Sequence, residues 1–188
     1  MKSKFLYLFL ISGLLSGYHC SAYCAKQENT PAAPEENGLQ SIIDEGFTAL
    51  FMAGDRQAAL EKFNQALAID PNSSGANVGL GAVYFEQGDI VLAKEYFVKA
   101  VTCDFRDASA FDGLGNCYRK LGDHKKAEDY YKHAIFLDDQ QPWFHFHLGQ
   151  LYSEGRNKKA AQAQARILAA LDRALADKLI SQIQAENP

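Results

Sequence analysis

The sequence contains no basic tract. Its 19 Lys and Arg are dispersed among 23 Asp and Glu, for a formal charge of −4 over 188 residues. Without a basic patch, nucleic acid and anionic membrane surfaces are poor partners. No nucleophile motif, phosphate-cradling glycine loop or zinc-ligand spacing is present, so neither an enzyme nor a cofactor is expected. The five His do not suggest a metal site either. His145 and His147 are two apart on a predicted helix and face different ways, whereas helical ligand pairs need spacings of three or four. His124 and His133 are nine apart. No carboxylate or Cys cluster accompanies any of them.

Long apolar runs are scarce. "FLYLFLISGLLSG" at 5–17 falls short of the roughly 20 residues a membrane-spanning helix needs. It follows the basic start "MKSK" and precedes the small-residue stretch "YHCSAYCA". That order describes a secretory signal over residues 1–25, cut after Ala22 or Ala25, with an uncleaved anchor as the alternative. Tyr18 stands where a lipidated Cys would follow "LLSG", which argues against a lipoprotein. The compartment expected is the periplasm or the exterior. Removing the leader takes Lys2 and Lys4 and no acid, leaving 17 basic against 23 acidic residues.

Cysteine is sparse as well. Two of the four, Cys20 and Cys24, lie in the leader, leaving Cys103 and Cys117. On adjacent antiparallel helices these two would be offset axially by about 10 Å, at 1.5 Å per residue. That is too far for a disulfide. Residues 26–38, "KQENTPAAPEENG", are polar and aperiodic and read as a flexible tether.

What the chain does have is a period of 34 residues. Gly81, Gly88, Asp89, Ala93, Phe97 and Ala100 recur as Gly115, Gly122, Asp123, Ala127, Tyr131 and Ala134. One period earlier stand Phe47, Gly54, Asp55, Ala59, Phe63 and Ala66; one period later, Leu148, Gly149 and Tyr152. Within each unit the apolar spacing describes two helices, with Gly122 ending the first and Asp123 capping the second in the third unit. A hairpin of this size cannot bury its own apolar face, so the units must stack.

The pattern L-G-x-x-Y, then G-D, then A-x-x-x-F/Y-x-x-A, resembles the tetratricopeptide repeat. Repeats are placed at 40–73, 74–107, 108–141 and 142–175, a domain over 39–175. The second and third match best. The first has Gly46 and Phe47 where the L-G pair belongs; the fourth loses the pattern after Gly155, which arrives one residue early. Leu168, Leu171, Leu175, Leu179 and Ile183 form a stripe over 167–184 that suits a solvating cap, of one helix or two, whose end and tail occupy 176–188. A docking helix for a partner is the other use for it. The resemblance implies an all-α, right-handed solenoid of about four hairpins with a C-terminal capping helix.

The resemblance also implies a concave groove walled by the first helix of each hairpin. Its lining would be Asp44, Thr48 and Phe51; Val78, Ala82 and Phe85; Asp112, Asn116 and Arg119; and Trp143, Phe146 and Gln150. Gly79 and Gly113 are expected to keep it shallow. Asn116 and Gln150 would bond the main chain of an extended peptide, and Phe85 and Phe146 would hold its side chains. The Lys and Asn clamp of cochaperones is absent, with Asp44, Thr48, Gly79, Ser109 and Gly113 in its positions. The expected role is a non-enzymatic adaptor that binds another protein, without nucleic acid or a small-molecule substrate; any membrane contact would be through an uncleaved leader. "DDQQPWFHFHLGQLY" is similar to class II chaperones of type III secretion, which supplies an alternative function. Self-association is a third.

Overall fold

In the computed structural model, residues 36–186 are described; the leader, most of the tether and the last two residues lie outside them. Nine α-helices make up the described chain: α1 (Glu36–Thr48), α2 (Arg56–Ile69), α3 (Ser74–Gln87), α4 (Ile90–Cys103), α5 (Ala108–Lys120), α6 (His124–Leu137), α7 (Pro142–Glu154), α8 (Lys158–Leu171) and α9 (Arg173–Glu186). α1 opens at Glu36, inside the stretch expected to be tether, and continues into a π-helical turn at Ala49–Ala53. No strand occurs among the described residues. The architecture is the expected all-α solenoid: four hairpins, α1–α2 through α7–α8, closed by α9.

Helix starts follow the period. Asp55, Asp89, Asp123 and Asn157, spaced by 34, each accept a bond from the backbone N–H three residues on, at 3.0–3.2 Å. Such a cap is worth about 1 kcal/mol. The preceding position is left-handed throughout. Gly54, Gly88 and Gly122 have φ of 67°, 86° and 80°, and in the fourth hairpin Arg156 adopts φ 56°. Gly155, the residue expected to make that turn, has φ −76° instead.

Each of the first three hairpins is locked by an aromatic ring of its second helix pressed against glycine. A Cβ on Gly46 or Gly79 would come within 2.6 and 2.2 Å of the Phe63 ring; one on Gly81 or Gly113 would come within 2.8 and 2.3 Å of Phe97. Gly46 therefore does in the first hairpin what Gly81 does in the second, although the period pointed to Phe47. The slip leaves one more residue between Gly46 and Gly54 than between Gly81 and Gly88. The π-helical turn takes it up, as such turns take up an inserted residue.

The fourth hairpin breaks the rule. Ala165 stands where Phe63, Phe97 and Tyr131 stand in the others, leaving the space beside Gly149 open. Leu179 of α9 fills it; its Cδ2 would lie 2.4 Å from a Cβ on Gly149. α9 is thus a separate helix packed on α7 and α8, and the apolar stripe is divided at Asp172. Asp172 ends α8 with extended backbone (φ −150°, ψ 106°) and at once caps α9, accepting from Leu175 N–H at 3.0 Å. Phe146, Leu168, Leu175, Leu179 and Ile183 form the core at this end.

Candidate functional site

Consecutive first helices (α1, α3, α5, α7) approach one another, while consecutive second helices stay farther apart. The stack therefore curves with the first helices on its inner side. In its first half that wall sets aromatic side chains beside the exposed Asp44, Thr48 and Glu86. Phe51 is 64% exposed and its ring stacks on Phe47, four residues earlier, at 6.0 Å. Phe85 is half-buried and packs against the same core cluster as Phe47. Val78 is 8% exposed and belongs to the core with Ala93 and Phe97, so it offers no side chain to a ligand. Gly79 and Gly113, expected to keep the wall shallow, are required by the close approach of Phe63 and Phe97.

The second half of the wall is polar and internally bonded. His147 Nδ1 lies 2.8 and 2.9 Å from the two carboxylate oxygens of Asp112. A carboxylate presents only lone pairs here, so Nδ1 carries the hydrogen. Asn116 Nδ2 donates to Asp112 Oδ2 at 3.1 Å, and Tyr131 OH donates to Asn116 Oδ1 at 2.9 Å. Burial raises the Tyr131 pKa strongly, against the opposing pull of the Arg119 guanidinium. Arg119 Nη1 donates to Glu154 at 2.7 Å, while its Nε is buried without a hydrogen-bond partner. Two polar links, Asp112–His147 and Arg119–Glu154, thus tie α5 to α7.

Several expected lining residues are placed differently. Phe146 is 2% exposed inside the α7–α9 core, and Gln150 donates to Gln182 of α9 at 3.2 Å. Both are taken up because Ala165 draws α9 in. Asn116 is used by Tyr131 and Asp112, and Asp112 itself is 9% exposed. Of the other expected lining residues, Asp44 and Thr48 are exposed on α1, Phe51 and Trp143 are 64% and 48% exposed, and Phe85 and Arg119 are half-buried.

His147 was not among the expected lining residues. The signal was available, since His147 falls one period after Gly79 and Gly113. A side chain where two repeats need none must find room, and this ring lies 5.9 Å from Tyr131 and 6.0 Å from Trp143. His145 is a packing residue, buried between Gln164 and the Asp139 carbonyl at 2.9 and 3.1 Å. Among the described residues no group of three or more His, Cys, Asp or Glu is arranged to hold a metal ion. Cys103 and Cys117 do not form a disulfide with each other.

A family profile described as Tetratricopeptide repeat matches residues 73–140, and a second, described as TPR repeat, matches 49–88. The chain is a tetratricopeptide-repeat protein, of a fold that serves protein–protein interaction. No curated protein matches it. Among solved structures it is similar to a thermophilic TPR protein from Thermus thermophilus, at 20% identity and TM-score 0.67 over 79% of this chain and 87% of that one. The MamA RS-1 ArsTM double mutant is 27% identical, with TM-score 0.56, over 74% and 78%. A chain of the APC/C hetero-tetramer Cut9–Hcn1 is 19% identical with TM-score 0.67 over 77% of this chain, which spans 30% of that chain's length.

Proposed function

We propose that this protein is an exported adaptor that holds an extended segment of another protein along the inner faces of α1, α3, α5 and α7, within an envelope or extracytoplasmic assembly. The observation that carries the reading is the row Phe51, Phe85 and Trp143. Three aromatic side chains are left partly or largely in solvent on α3, on α7 and on the π-helical turn that follows α1, the first helices that approach one another along the stack. Large side chains exposed in a row on a concave wall are what an extended peptide engages. The segment 1–17, basic and then apolar, supports export.

A photo-crosslinking amino acid placed at Phe85 and, separately, at Val98 on α4 tests the groove in the native host. Capture of one protein from position 85 and none from position 98 supports the reading; the reverse overturns it. The intact mass tests export. Loss of the residues up to Ala22 or Ala25 supports it, and a full-length cytosolic chain overturns it.

A further inference from the structure

We propose that the α5–α7 end of the groove is a subsite for a positively charged side chain of the bound segment, with Trp143 and His147 as its contacts and Asp112 as the charge behind them. The inference rests on the peptide-groove reading above and specifies the chemistry of the occupant. Three independent features converge on it.

The first is the direction of the network. Nδ1–H of His147 is committed to Asp112, so a neutral imidazole leaves Nε2 as an acceptor, and Nε2 has no hydrogen-bond partner among the described residues. In its neutral form the ring thus presents an acceptor, held by a carboxylate whose own side chain is only 12% exposed. An ammonium or guanidinium N–H complements it; a carboxylate does not.

The second is the indole. Trp143 is 48% exposed, with its ring 5.6 Å from Phe146 and 6.0 Å from His147. Trp offers the best aromatic face for a cation. The same aromatic cluster already attracts one ammonium, Lys178 of α9, which lies over Phe146 at 5.1 Å and leaves the indole unfilled.

The third is the charge of the first helices. Asp44, Glu86, Asp112 and Glu154 stand on them against Lys120 and Arg119, with Lys178 of α9 over Phe146; Arg119 is bound to Glu154 and Asp112 to His147. Asp44 and Glu86 have no ion-pair partner among the described residues, so an acidic segment would meet like charge along α1 and α3 and complementarity favours a basic one. Alternate residues of an extended peptide fall on one side about 6.5–7 Å apart, which lets lysines and apolar residues share the wall.

Trp143 is the one tryptophan of the chain, so its emission reports on this subsite directly. The probes are three acetylated and amidated hexapeptides of alternating leucine with lysine, glutamate or norleucine, titrated into the full chain by calorimetry and fluorescence. The lysine peptide is expected to bind at least tenfold tighter than the other two and to shift the Trp143 emission saturably. Asp112→Asn keeps an acceptor for His147 but removes the charge. It should abolish the lysine advantage, and a helical circular-dichroism spectrum equal to that of the parent chain shows that the variant remains folded. Equal affinities, a glutamate preference, or binding that leaves Trp143 emission unmoved overturns the cation subsite and leaves the groove standing. No saturable binding of any of the three overturns both.

Discussion

The Nδ1 of His147 lies 2.8 Å from Oδ1 of Asp112, 35 residues earlier in the chain, so two repeats share one charge-assisted hydrogen bond. The side chains are 20% and 12% exposed, and removing either partner strands the other in a poorly solvated place. A double-mutant cycle of Asp112→Ala and His147→Ala, read by urea denaturation, is expected to give a coupling of about 1–2 kcal/mol. Additive effects would show that the two repeats are not joined here.

Gly113 is expected to be intolerant of even one methyl group. A Cβ there would sit 2.3 Å from the Phe97 ring, which is 4% exposed and so has little room to move. Gly113→Ala should cost about 1–3 kcal/mol by overpacking. In a Phe97→Leu background the same substitution should cost distinctly less, and equal costs would place the strain elsewhere.

Arg156 is the one described non-glycine residue with positive φ, at 56°. The three preceding repeats carry glycine there, and the left-handed region costs an L-residue about 1–2 kcal/mol. Part of that gain is offset by the greater chain entropy of unfolded glycine, about 0.5–1 kcal/mol. Arg156→Gly should therefore stabilise the protein by roughly 0.5 kcal/mol, seen as a higher urea midpoint. A lower midpoint would mean that the Arg156 side chain contributes more than its backbone costs.

Two groups carry the pH predictions. Burial pushes the Cys117 thiol up to about 12, so its peptide should stay unalkylated by iodoacetamide at pH 8 until denaturant is added. Burial lowers the His133 pKa, with its ring 4.1 Å from that of Phe111. The unfolded chain then binds the proton more readily than the folded one between the two values. Stability is held above the ordinary imidazole value and falls as pH drops through that window. His133→Phe should flatten this part of the stability–pH curve.

Much of the fold could be read from the period, because a cap or a left-handed turn is set by residues next to one another. Asp55, Asp89 and Asp123 show it. Where the period slips, the choice passes to packing between helices. Nothing local says that Gly46 rather than Phe47 stands where a Cβ would run into the Phe63 ring, or that the extra residue ends in a π-turn. Likewise Ala165 appears as one more small residue until its role is seen: it opens the space that Leu179 occupies, and this draws α9 over Phe146 and Gln150. Which of the expected lining residues remain in solvent depends on that docking. His147 had a local signal, a large side chain one period after two glycines, whose meaning lay in the buried Asp112 it would meet.

The central claim is that a partner lies along the inner helices. Hydrogen exchange of the full chain, alone and with the protein it captures in its host, tests this most directly. Added protection is expected in α3, α5 and α7, with α2, α4 and α6 unchanged. Protection confined to the second helices, or to the outer face of α9, would contradict it.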